Sequence, residues 1–124
     1  MPDSVSFLDA RLGALFLPGC HAPGGIIAWR LRSDGDVHLR NEFRSDGPVD
    51  LGGARIGGQL DCTGGQFAAK TGRALNCGAA QIGAAVFLRG GFHAEGEVNF
   101  VGAEIGGQLA CDGGHFAAKT GRAL

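Results

Sequence analysis

From residue 49 onward, apolar side chains recur mostly every five residues, and a second small or apolar residue stands two positions before each. The central positions are Leu51, Ile56, Cys62 and Phe67, then Cys77, Ile82, Leu88 and Phe92, then Phe100, Ile105, Cys111 and Phe116. Their companions include Val49, Ala54, Leu60 and Gly65 in the first of these sets and Leu75, Ala80, Val86 and Gly90 in the second. Residues two apart share a face in extended chain, so both members of each pair point inward. Phe43, Phe67, Phe92 and Phe116 fall 24, 25 and 24 residues apart, which sets one coil at about two dozen residues with four sides. A longer unit contains two coils: residues 49–75 align without a gap to 98–124, with 20 of 27 positions identical. Repeats of this period signal stacked architectures.

The pattern predicts an all-β solenoid in which like residues form ladders. Phe43, Phe67, Phe92 and Phe116 form one structural core ladder, and Ile56, Ile82 and Ile105 form another. Leu39, Cys62, Leu88 and Cys111 line another side, and Leu51, Cys77 and Phe100 the remaining one. Gly57, Gly83 and Gly106 each follow an isoleucine of the ladder, at corners where a positive φ or a close backbone approach is expected.

Upstream, Val5, Leu8, Leu12, Leu15 and Phe16 follow a spacing of three to four after Asp3 and Ser4. That spacing predicts a short amphipathic helix over 4–16 that caps the solenoid. Pro18, Pro23, Gly24 and Gly25 then break it, so the expected division is a helix-and-loop cap at 1–25 and a repeat domain of about four coils at 26–124. Leu124 stands where Leu75 stands in the earlier unit, just before a further coil would begin, and a longer relative is expected.

Composition narrows the functional classes. Glycine makes up 24 of 124 residues and proline only 4, too little proline for collagen-like or Pro-rich disordered chain. The 11 basic and 12 acidic residues give a net charge of -1, so no global field steers nucleic acid or anionic membrane. No apolar run reaches the roughly 18 residues of a membrane span, and a soluble, cytoplasmic chain is expected. Cys20, Cys62, Cys77 and Cys111 show no C-x-x-C spacing, so reduced thiols are expected.

At residues 37–124 the chain resembles the pentapeptide-repeat family, whose small, polar and central Leu or Phe positions recur in fives. The resemblance implies a right-handed quadrilateral β-helix. The coil here is longer than the family's regular one, by an insertion after each Phe, and glycine often replaces the family's polar or small residue. The segments GARIGGQLDC, GRALNC and VFLRGGFHAEGEV also resemble long Gly-rich actinobacterial repeat proteins sometimes labelled membrane-associated oxidoreductases. That second resemblance implies a repeat appendage of a larger enzyme. Some pentapeptide-repeat relatives are duplex-DNA mimics that bind DNA gyrase, but residues 37–124 carry eight acidic and eight basic side chains, a poor match to an acidic mimic.

Catalytic chemistry finds no footing. Gly64 and Lys70-Thr71, repeated as Gly113 and Lys119-Thr120, resemble a phosphate-binding loop, but Ala69 and Ala118 replace the glycine before the lysine. No two glycines are separated by a single residue, so the dinucleotide fingerprint G-x-G-x-x-G is absent. Cys62, Cys77 and Cys111 occupy inward positions and pack as small hydrophobes. Cys20 and His21 would supply two metal ligands where a structural zinc site needs four. His38, His93 and His115 are expected to point outward to solvent. Neither a catalytic residue, a cofactor nor a metal is expected.

One outward feature stands out: the insertions after the Phe ladder carry Asp46, then Lys70 and Arg73, then Glu95, then Lys119 and Arg122. Their alternating signs fit either a solvated row of cross-coil ion pairs or a ridge that a partner protein recognises. The expectation is a non-catalytic structural or protein-interaction solenoid, with an unknown protein partner, a homodimer contact through the C-terminal coil and no nucleic acid.

Overall fold

A computed structural model describes residues 5–17, 19–40, 43–111 and 115–117. The chain is a parallel β-solenoid, and among the described residues there is no helix. Each coil contributes four short strands, most of them two residues long, that pair in parallel with those of the neighbouring coils. Val5–Ser6, Ile26–Ile27 and Val49–Asp50 stack on the first side, followed by Leu75 with Asn76 and Val98 with Asn99. The second side stacks Arg11–Leu12, Arg32–Ser33, Arg55–Ile56, Gln81–Ile82 and Glu104–Ile105. The third stacks Leu15–Phe16, Val37–His38, Leu60–Asp61, Val86–Phe87 and Leu109–Ala110. On the fourth, His21–Ala22 and Arg44–Ser45 continue into the starts of Gln66–Asn76 and His93–Asn99, and His115–Ala117 follows.

The middle residue of each five-residue side faces out, and the residues on either side of it face in. Corner chemistry closes each coil. Between the first and second sides, a turn hydrogen bond runs from the N–H of Ala10, Leu31, Ala54, Ala80 and Ala103 to the carbonyl three residues before it. The third residue of each turn is left-handed: Asp9, Arg30 and Ala79 at φ 56°, 57° and 58°, and Gly53 and Gly102 at 67° and 74°. Positive φ at that position defines a type II turn, and three of the five coils accept its steric cost without glycine.

At the next corner the glycines serve a different purpose. A Cβ on Gly83 would stand 2.5 Å from the carbonyl oxygen of Gly57, and Gly57 and Gly106 abut the carbonyls of Asp34 and Gly83 in the same way. None of the three has a positive φ, so close coil-to-coil approach alone excludes a side chain there.

The interior is a stack of side chains. Ile56 and Ile82 are buried and Ile105 packs against them, while Leu39, Cys62 and Leu88 are buried on the third side. Phe43, Phe67 and Phe92 are each fully buried, with successive ring centroids 5.4 and 5.1 Å apart. They do not occupy one column. The register pairs Phe67 with Ser45 below and Ala94 above, whereas Phe43 and Phe92 stand at the level of Gly65, two residues earlier in their sides. The rings therefore zigzag, each large residue lying opposite a small one. Inward Ser45 is satisfied by donating to the Gly47 carbonyl at 2.6 Å, and Ser33 donates to Gly35 at 3.1 Å. Phe116 lies in the last described strand, where its side chain is outside the description.

The N-terminal segment corrects the expected capping helix. Residues 5–16 carry three short strands that pair with the coil containing residues 26–38. The five-residue rhythm already runs there: Phe7, Leu12 and Leu17 face in together with Ala10 and Leu15. Leu8 and Phe16, which completed the helical spacing, are 46% and 58% exposed. Parallel pairing with the next coil satisfies backbone groups in register, and that outweighs a marginal one-face helix. Among the described residues no helix is long and apolar enough to cross a membrane.

Candidate interaction surface

With the interior filled, chemistry on this fold rests on the outward residues, which form one row per side. On the first side the row runs Ser6, Ile27, Asp50, Asn76 and Asn99, and its last three members form a hydrogen-bonded ladder. Asn76 donates to Asp50 at 2.9 Å and Asn99 donates to Asn76 at 2.7 Å. Each side-chain oxygen also accepts a backbone N–H two residues on, from Gly52, Gly78 and Val101. These three side chains are thus bonded to one another and to the backbone of their own turns.

The third side holds a partly buried polar cluster. His38, expected to be solvated, is buried between Asp36 at 3.2 Å and Asp61 at 3.9 Å, and its ring stacks on Phe16 with centroids 4.7 Å apart. Its Nδ1 makes no hydrogen bond. Burial pushes the Asp61 carboxyl up, but hydrogen bonds from the Thr63 hydroxyl and N–H and from Arg40 outweigh it and hold the group below its ordinary value. The Gln59 N–H and then His38 hold Asp36 low as well.

The second side differs. Its outward row runs Arg11, Arg32, Arg55, Gln81 and Glu104, each in direct register with the next. Parallel neighbours lie about 4.8 Å apart, so three guanidinium stems rise from one strip of sheet about 10 Å long. All three arginines are exposed, and among the described residues none has an ion pair or hydrogen-bond partner for its side chain. The row lines an open groove of about 690 Å³ whose edge is the side-chain-free glycine corner of Gly57, Gly83 and Gly106, with Asp34 alongside. Such an array offers planar, bidentate donors to anionic oxygens.

Of the six residues expected to form a ridge, Asp46, Arg73 and Glu95 have described side chains, and each is paired with a neighbour outside that set. Asp46 accepts from His21 at 2.7 Å and Arg44 at 3.1 Å, and these contacts keep its carboxyl below the ordinary range. Arg73 pairs across coils with Glu97 at 2.7 Å, while Glu95 contacts His93 at 3.2 Å. Lys70 lies within the strand Gln66–Asn76, with its side chain outside the description, and Lys119 and Arg122 fall outside the described residues. The Gly64 to Thr71 segment enters that same 11-residue strand. Its register with His93–Asn99 shifts between Ala68 and Arg73, where the insertion is taken up. Cys20 is exposed, and its neighbour His21 is engaged by Asp46.

The sequence pattern leads to only part of the basic row. Arg55, Gln81 and Glu104 each precede an isoleucine of the aligned ladder. Arg32 stands 23 residues before Arg55 and Arg11 a further 21 before Arg32, upstream of the evident five-residue pattern, and Arg11 falls in the segment whose spacing predicts a helix. The recoverable signal is the corner: Arg11, Arg32, Arg55, Gln81 and Glu104 stand two or three residues before a glycine. Compared with known proteins, the chain matches no family model, no curated protein and no solved structure.

Proposed function

We propose that the chain is a non-catalytic interaction solenoid of the pentapeptide-repeat kind, binding a partner protein through its outer sides. The paired inward positions in fives and the four strands per coil support the family reading. The functional reading is carried by the contrast between two outward rows. Asp50, Asn76 and Asn99 hydrogen-bond to one another within the chain, whereas Arg11, Arg32 and Arg55 leave their side-chain donors to solvent. A second copy is an additional partner in this reading: Val101 and Leu109, on the coil expected to pair, are 59% and 40% exposed.

A photo-crosslinking residue placed in turn at outward positions 50, 55, 66 and 87, one on each side, tests it in cells expressing the chain. Position 55 is expected to give a discrete protein adduct in excess of the other three. Absence of a protein adduct at 55, or equal labelling from all sides, contradicts it.

A further inference from the structure

We propose that the partner of the second side is a short acidic helical segment whose carboxylates engage Arg11, Arg32 and Arg55 together. This rests on the protein-interaction reading and adds the partner's chemistry.

The first ground is selectivity among the arginines. Arg30 pairs with Asp9 at 2.6 Å, Arg40 with Asp61 at 3.0 Å, Arg44 with Asp46 at 3.1 Å and Arg73 with Glu97 at 2.7 Å. Arg89 lies 4.2 Å from the centre of the Phe87 ring. The remaining described arginines are Arg11, Arg32 and Arg55, and they stand in one register on one side. Like charges directly opposite each other across strands repel, so this row gains by receiving anions from elsewhere.

The second ground is spacing. Rungs recur about every 4.8 Å. Glutamates three or four apart on a helix place their Cβ atoms about 5–6 Å apart, close enough for long arginine side chains to follow. Alternate residues of a strand recur about every 6.7 Å and drift out of step by the third rung.

The third ground is where the row ends. Gln81 and then Glu104 follow Arg55, and Asp34 flanks the groove. A long polyanion such as nucleic acid would run from the arginines onto Glu104. A segment with three acidic residues, followed by a neutral and then a basic one, meets every rung. The bare glycine corner lets a helix lie close to the sheet.

Fluorescence anisotropy with a labelled helical peptide carrying glutamates at i, i+3 and i+7 tests the proposal on the full chain. Binding is expected to weaken at least roughly ten-fold in Arg11→Gln/Arg32→Gln/Arg55→Gln, and to fall as salt is raised. Arg89→Gln is expected to bind as wild type. A peptide with glutamines in place of the glutamates should lose the same binding to the unaltered protein, an arm that holds whatever the triple variant does to folding. No binding of the glutamate peptide, equal binding of the glutamine peptide, or tighter binding of a short oligothymidylate overturns the proposal, the last by assigning the row to nucleic acid. A protein adduct at position 55 without glutamate dependence would leave the interaction reading standing and remove the acidic partner.

Discussion

Gly65 lies against the ring of Phe67: a Cβ on Gly65 would stand 2.6 Å from the ring Cε1 and 2.8 Å from the Leu39 carbonyl oxygen. The zigzag of phenylalanines depends on this relationship. Phe43 and Phe92 occupy the level at which Gly65 is empty, and Phe67 occupies the level at which Ser45 and Ala94 are small.

Gly65→Ala is expected to lower stability by about 1–3 kcal/mol through overpacking, and Phe67→Ala by about 3–5 kcal/mol through the cavity it leaves. Because Phe67→Ala removes the ring that the new methyl strikes, the double variant should cost less than the sum. Urea unfolding measures all three. A Gly65→Ala protein that unfolds at the wild-type midpoint contradicts the zigzag.

Acid should loosen the solenoid through its carboxylates. Asp36, Asp46 and Asp61 are all held below the ordinary carboxylate value of about 3.9. A depressed folded value means that their contribution is complete above the unfolded value and is lost as pH falls through the folded ones. Stability measured against pH is expected to be level with respect to these groups near neutrality and to drop below about pH 4–5. Asp61→Asn should flatten part of that acid limb. An unchanged acid limb in Asp61→Asn would show that its contacts with Thr63 and Arg40 do not persist in solution.

The thiols report on the stack directly. Cys62 and Cys77 are fully buried, and burial pushes both thiols up, away from the reactive thiolate. Cys20 is exposed and Cys111 is half-buried, which corrects the expectation that Cys111 is as protected as the other two. Native labelling with a thiol reagent should modify Cys20 fastest, Cys111 more slowly, and Cys62 and Cys77 only on unfolding. Equal native rates for all four would contradict the buried columns.

The ladders that the sequence reveals are those where both inward residues of a side are small or apolar and stand two positions apart in every coil, even though the coils differ in length. Ile56, Ile82 and Ile105 are one case, and Leu39, Cys62, Leu88 and Cys111 another, and both stack in register. The phenylalanines looked like a single column because their intervals of 24, 25 and 24 are nearly equal. On that side, however, Arg44 to Gln66 spans 22 residues and Gln66 to His93 spans 27, so the rings alternate between two levels. At the N-terminus the same apolar residues fit two periods. Leu8 and Phe16, both exposed, complete a helical spacing, while Phe7 and Leu17, packed against the core, complete the five-residue series. The start of the candidate surface is hidden by that same overlap of periods, because the basic row begins at Arg11.

The central claim is that Arg11, Arg32 and Arg55 stand on consecutive rungs of one sheet. Disulfide mapping in a Cys20→Ser background tests it most directly. Neighbouring rungs place Cα atoms about 4.8 Å apart, inside the range a disulfide spans, whereas rungs two coils apart are separated by about 9.6 Å, outside it. Under mild oxidation, Arg11→Cys/Arg32→Cys is expected to form an intramolecular disulfide readily, and Arg11→Cys/Arg55→Cys is not. If Arg11→Cys/Arg32→Cys closes no faster than Arg11→Cys/Arg55→Cys, residue 11 is not on the rung beside residue 32, and the basic row does not exist.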